Sequence, residues 1–236
     1  MMFHPGAGMF GGALRRHLRG TGGAMSNVGA DFEGNAVDAS PRPRTAEERD
    51  LRQRANAAMD RYARGDDSAF DGLYDLLVPR LLPYAKRRTG DASRAEDLVQ
   101  QAVLQMHLAR ASFRNGSDVL AWAFAITTRL AIDGYRRRKS EVLADDPHAI
   151  GNVEPCASHA PEQILAAKEM AVIAERTLQA MPEGQRVAYE LVREQGFCPA
   201  EAADILGTTP NAVNLRVHRA YDAIRAAFAA ASKDTR

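Results

Sequence analysis

A chain of 236 residues, 45% hydrophobic and 26% charged, has enough apolar content for one or two ordinary cores, which excludes wholesale disorder. Its formal net charge of +1 excludes capture of nucleic acid by an overall field, so any basic surface must come from local clustering. Its two cysteines, Cys156 and Cys198, lie far apart without ligand spacing, which excludes a disulfide scaffold and suits a reduced cytoplasmic protein.

In chain order, residues 1–44 are rich in Gly, Ala, Pro and Asp and show no sustained periodicity, so a disordered tail is expected. The opening "MMFHPGAGMFGGALRRHLRG" has arginines but no continuous apolar core, unlike a secretory signal, and Met25 is a second candidate start. No run reaches the length of a membrane-spanning helix, and no membrane insertion is expected. From 45 to 139 the pattern is helical throughout. "AEERDLRQRANAAMDRYARG" reads as a polar helix ending at Gly65. The next, "SAFDGLYDLLVPRLLPYAKRRTG", turns Phe70, Leu73, Tyr74, Leu77 and Leu81 inward, with kinks at Pro79 and Pro83 and a stop at Gly90.

A third helix over about 93–111 opens with a capping box from Ser93 to Glu96. Leu98, Val99, Ala102, Val103 and Met106 form its core stripe. Opposite lie Asp97, Gln100, Leu104, His107 and Leu108. Two leucines on that face read either as scattered surface apolar residues or as the centre of a partner-binding surface.

The fourth helix, over about 119–138, has Ser117 as its expected cap. One stripe runs Trp122, Ile126, Arg129, Asp133, Arg136, Arg137, apolar at one end and basic at the other. Trp122 taken alone reads as core. The cluster Arg136, Arg137, Arg138 and Lys139 can complement the helix dipole, yet so many cations in one turn repel unless phosphates neutralise them. In the preceding loop "SFRNGS", Arg114 and Asn115 are within reach of an exposed base.

Composition then shifts. Residues 140–163 carry Pro147, Pro155 and Pro161 among acidic residues, as a flexible linker would. Residues 164–236 are helical again. "MPEGQRVAYELVREQGF" reads as one helix, "PAEAADILG" as a short second one, and Gly207 supplies the turn into "TTPNAVNLRVHRAYDAIR". There Thr209 caps, Pro210 opens the helix, and Val213, Val217, Ala220, Tyr221, Ile224 and Phe228 face inward. The outer face carries Asn211, Asn214, Leu215, His218 and Arg219, with Arg216 at its border. In a helix-turn-helix that face enters the major groove, where Asn addresses adenine, Arg guanine or phosphate, and Leu a thymine methyl. A plain helical hairpin is the competing reading. No strand-like alternation occurs anywhere, so the fold class is all-α: two helical domains, 45–139 and 164–236, joined by the linker.

The six histidines are scattered, no His, Cys or carboxylate group has metal-ligand spacing, and no phosphate-binding loop is present. Neither catalytic residue, metal site nor cofactor is expected.

With both halves read, "AEDLVQQAVLQMH" resembles region 2.2 of the extracytoplasmic-function (ECF) sigma factors, and "LAWAFAITTRLAIDGYRRR" their regions 2.3 and 2.4. The stretch from Met181 to Arg225 resembles their region 4. The resemblance implies a transcription-initiation subunit with three surfaces. Glu96, Asp97, Gln100, Leu104, His107 and Leu108 would dock on core RNA polymerase. Arg114, Asn115, Trp122, Arg129, Asp133, Arg136, Arg137 and Arg138 would bind and open the −10 element of promoter DNA. Asn211, Asn214, Leu215, Arg216, His218 and Arg219 would bind the −35 element. The linker would run near the polymerase cleft, and an anti-sigma factor is an expected partner. Arg129 stands where the family usually has Asn, Thr128 where it has a basic residue, and Asn214–Leu215 where Lys–Ser is frequent, which bears on promoter sequence rather than class. The rival function is a helix-turn-helix regulator that acts without core polymerase; it leaves the first four helices without a task.

Overall fold

The structure, a computed structural model, describes residues 44–145 and 162–234, with side chains described outside 139–168 and 233–234. The expected tail up to residue 43 and residues 146–161 of the expected linker lie outside the described residues. Every regular element among the described residues is helical.

Helix α1, Ala46–Ala63, starts at a capping box: Thr45 Oγ1 accepts the Glu48 N–H at 3.1 Å, and the Glu48 carboxylate accepts the Thr45 N–H at 3.1 Å. Helix α2, Ala69–Thr89, runs uninterrupted through Pro79 and Pro83. Both rings lie on its exposed face, where the carbonyls they leave unpaired face water rather than a core. Gly90, at φ 68°, ends α2 in the left-handed conformation, and its N–H donates to the Lys86 carbonyl at 2.9 Å.

Helix α3, Ala92–Ala109, is capped by Asp91, which accepts the Arg94 N–H at 2.8 Å, and not by the Ser93–Glu96 box expected from sequence. The left-handed Gly90 returns the chain to extended geometry at Asp91, so Ser93 is already inside the first turn. After a short 3-10 turn, Arg110–Ser112, helix α4 spans Val119–Asp145. Its cap is Asp118, accepting from Leu120 N–H at 2.9 Å, and not Ser117. It also continues beyond Lys139, the end expected from composition.

These four helices bury one core, in which α2 packs on α1, α3 and α4. Tyr84 and Phe124 meet at its centre, with ring centroids 5.2 Å apart. The Tyr84 hydroxyl is fully enclosed and bonds Thr128 Oγ1 at 2.9 Å.

The C-terminal group comprises α5 (Glu162–Ala180), α6 (Glu183–Tyr189), α7 (Pro199–Leu206) and α8 (Pro210–Asp234). Between α6 and α7 the helix widens into a π turn over Glu190–Glu194, where one uninterrupted helix was expected. Helix α8 crosses α5, α6 and α7, and Val213, Val217, Ala220 and Ile224 line the contact. Gly207, at φ 60°, makes the turn between α7 and α8.

The two groups touch. Helix α4 lies against α7, and Phe197 packs edge-on against Phe124 at 5.1 Å, so the described residues belong to one compact unit.

Thr128→Val leaves the Tyr84 hydroxyl buried without an acceptor and is expected to cost about 1–3 kcal/mol. Adding Tyr84→Phe should recover most of that loss. Chemical denaturation of the two variants and wild type checks the cycle.

Candidate polymerase and nucleic-acid interfaces

Helix α8 owes its position to its start. Thr209 Oγ1 accepts the Ala212 N–H at 3.2 Å, with Pro210 at the first helical position. Its apolar stripe packs against the other C-terminal helices, and Tyr221 stacks edge-on with Tyr189 at 5.4 Å. Phe228 is only half-buried. The opposite face is free of packing: Asn211, Asn214, His218 and Arg219 are exposed, and Leu215 keeps 50% of its surface. His218 faces Asp222 at 3.4 Å, and Arg225 lies 3.7 Å from the same carboxylate, so Asp222 offsets charge at the C-terminal end of this face. Arg216 is half-buried and lies back over Gly184 at the start of α6. It borders the face rather than standing on it.

On α3 the expected inward stripe is buried without exception: Leu98, Val99, Ala102, Val103 and Met106. Asp97, Gln100, Leu104 and Leu108 all face outward, Leu104 with 45% of its surface exposed and Leu108 with 74%. Glu96 and His107 are half-buried at the margins. His107 is anchored: its Nδ1 bonds the Tyr62 hydroxyl, and the Arg110 guanidinium lies 2.9 Å away. The α3 surface is therefore an apolar pair of leucines among an acid and an amide.

The loop before α4 is held from α1. Asn56 Oδ1 accepts the Val119 N–H at 2.9 Å, and Gly116, at φ 79°, closes a turn in which Ser117 N–H donates to the Arg114 carbonyl at 3.0 Å. Arg114 and Asn115 project from it, exposed. Trp122 is half-buried, not core as its type suggests, because its ring rests on Phe113 at 5.2 Å at the edge of the bundle. Farther along α4, Arg129, Asp133, Arg136 and Arg137 are exposed, and Arg138 is half-buried beside Gly134. Arg114, Asn115 and the Phe113–Trp122 pair thus lie at one end of α4, with arginines continuing along it.

Sequence reasoning overlooked three residues here. Phe113 forms the other half of the Trp122 platform; its place one residue before Arg114 was the available signal. Tyr135 is 39% exposed among the arginines of α4. Thr128 is buried and committed to Tyr84, so it contributes nothing to the α4 surface, and a long cation in its place would be forced into the core.

Nothing among the described residues resembles a small-molecule site. Two shallow depressions each enclose about 10 Å³, room for roughly one water molecule. No cluster of three His, Cys, Asp or Glu among the described residues is placed to hold a metal. No described helix is long and apolar enough to cross a membrane.

The family model for Sigma-70 region 2 matches residues 73–141, and that for Sigma-70 region 4 matches residues 171–224. The chain is 33% identical over 177 residues to the ECF RNA polymerase sigma factor SigF of Caulobacter vibrioides, covering 74% of this chain and 94% of that protein. It is 30% identical to SigM of Mycobacterium tuberculosis, another ECF sigma factor, over 71% of this chain and 82% of that protein. The sigma factor RpoE of Bartonella quintana, solved in complex with the anti-sigma factor NepR, superposes with a TM-score of 0.56 at 25% identity, covering 67% of this chain and 96% of that one. With the region 2 and region 4 matches falling in order on the two helical groups, the chain belongs to the ECF family of RNA polymerase sigma factors, which bind the core enzyme and direct it to promoters.

Proposed function

We propose a division of that work among three surfaces of this chain. The outward face of α3, with Leu104 and Leu108 at its centre and Asp97 and Gln100 around them, docks on core RNA polymerase; Glu96 and the Tyr62-anchored His107 shape its margin. Exposed apolar pairs ringed by polar groups are the usual anatomy of a protein interface. The Phe113–Trp122 platform, with Arg114 and Asn115 beside it, takes unstacked bases of the −10 element. Stacking on aromatic rings tolerates any base, and exposed arginines on a helix attract the flanking phosphates. Arg129, Asp133, Arg136, Arg137 and Arg138 continue that surface along α4. Asn211, Asn214, Leu215, His218 and Arg219 on α8 read the −35 element in the major groove, with Arg216 at the edge of the contact.

The observation that carries this reading is the exposure of Leu104 and Leu108 directly opposite a fully buried stripe, in a chain that also presents a helix-turn-helix. A regulator acting alone on DNA has no use for that apolar pair. The chain works by binding rather than catalysis, in the cytoplasm where core polymerase resides. An anti-sigma factor, like the one solved with the Bartonella quintana relative, is a partner of the same class for this chain.

Leu104→Asp with Leu108→Asp should abolish binding to core polymerase while leaving helicity unchanged by circular dichroism; retained binding would remove the role of α3. Arg219→Ala should weaken use of the −35 element by about 1–3 kcal/mol if it contacts a base, read by run-off transcription with core polymerase on a promoter library. An equal loss on every promoter would assign Arg219 to phosphate instead. Arg136→Ala with Arg137→Ala should flatten the salt dependence of promoter binding by the holoenzyme, by a slope of about one for each phosphate no longer neutralised.

A further inference from the structure

The boundary between the two helical groups has a one-way charge pattern. Among the described residues, the ion pairs that cross it run from arginines on the N-terminal side to glutamates on the C-terminal side. Arg44 and Arg52 meet Glu201 at the start of α7, and Arg52 also holds Asp118 of its own group. At the other end Arg88 pairs with Glu183 and faces Glu190 at 3.7 Å, and Arg87 pairs with Glu194 at 2.7 Å. Between the two clusters sit the Phe124–Phe197 contact, the Arg52 guanidinium over the Phe197 ring at 5.0 Å, and Arg80 donating to the Gln195 carbonyl at 3.3 Å. The π turn supplies both Glu190 and Glu194 to this seam. None of these residues belongs to the three surfaces assigned above.

A compact body of about 200 residues has a radius of gyration of about 17 Å, hence a diameter of roughly 40 Å. Elements centred near −10 and −35 are separated by roughly 25 base pairs, about 85 Å of duplex at ~3.4 Å per pair. The closed body is too short to hold both.

We propose that the C-terminal group restrains this chain by docking its glutamates onto the arginine face of the N-terminal group, making the compact form a resting state that must open before both promoter elements are engaged. The proposal rests on the sigma reading for its consequence, but the seam itself can be tested without polymerase. The restraint lies within the chain and needs no second protein to close it.

The seam is also poised to respond to pH. Burial pushes the Glu194 carboxyl up to about 7, with Glu190 and Glu175 acting in the same direction and the Arg87 guanidinium opposing them. Burial likewise raises Glu190, against the pull of Arg88, Arg186 and Arg87. Glu201 goes the other way. Burial would raise it, but the Cys198 N–H, Arg44 and Arg52 hold it below its usual value, so it stays ionised above that range. A group raised in the closed form favours closure below its ordinary pKa, and that preference is lost as pH rises through the raised value. Closure should therefore weaken as pH rises from the ordinary carboxylate range through about 7.

The test is small-angle scattering of the full chain with charge reversals. Arg87→Glu and Glu194→Arg should each enlarge the radius of gyration with an unchanged helical spectrum, and the double reversal should return it toward wild type. Phe197→Asp is an independent way to open the same seam. Single reversals that stay as compact as wild type, or a double reversal no more compact than the singles, would overturn the proposal. Wild type should expand between about pH 6 and about pH 8, either side of the raised Glu194 value. Glu194→Gln should respond less; an equal response would remove Glu194 from the latch. In core-polymerase titrations Arg87→Glu should bind severalfold more tightly, since a competent state populated about one time in ten weakens apparent affinity about tenfold. Chains that open on reversal yet never support initiation would sink the proposed function and leave the seam standing. Chains that initiate normally while the reversals stay closed would do the opposite.

Discussion

Phe124 is the residue on which both halves of the molecule converge. Within its own group its ring meets Tyr84 at 5.2 Å, and across the boundary it meets Phe197 at 5.1 Å. A planar side chain on one helix thereby joins the bundle core to the region 4 group, with Arg52 lying over the far ring. Aromatic contacts of this kind add specificity of geometry to the area they bury. They set the angle at which α7 approaches α4, and the flanking ion pairs then fall into register on either side.

A related constraint governs the outward faces. Each amphipathic helix can commit only one stripe to the core, so what remains outside is either solvated or awaits a partner. Helix α3 turns Leu98, Val99, Ala102, Val103 and Met106 inward and has Leu104 and Leu108 left over. Helix α8 turns Val213, Val217, Ala220, Tyr221 and Ile224 inward and has Leu215 left over. Family membership makes sense of these residues: a subunit that joins a large enzyme to DNA must keep adhesive surfaces outside while remaining folded without them.

Buried ionic contacts at the seam differ in kind from buried apolar ones. Removing a guanidinium such as Arg88 from water is costly, and its carboxylate partners offset that cost only when the geometry is good. The 3.7 Å separation between Arg88 and Glu190 is longer than a hydrogen bond, and burial holds the Glu190 and Glu194 carboxyls above their usual range. A seam built this way is specific in register yet easily separated, whereas a wholly apolar boundary would bind the groups permanently.

The sequence by itself determined what depends on neighbours a few residues away. Period-3.6 stripes on α3 and α8, the Thr209–Pro210 start and the Gly90 and Gly207 stops are local, and so was the resemblance carried by contiguous motifs. Where two local signals competed, the chain path decided: Asp91 and Asp118 cap, rather than Ser93 and Ser117, because the preceding turns place them first. Only the tertiary structure decided what depends on residues far apart in the chain. Trp122 rests half-exposed on Phe113, Thr128 is committed to Tyr84, and the arginines of α1 and α2 face the glutamates of α6, the π turn and α7. A polar helix such as α1 looks the same in sequence whether its arginines meet water or carboxylates far along the chain, because charge complementarity across a boundary has no period to read.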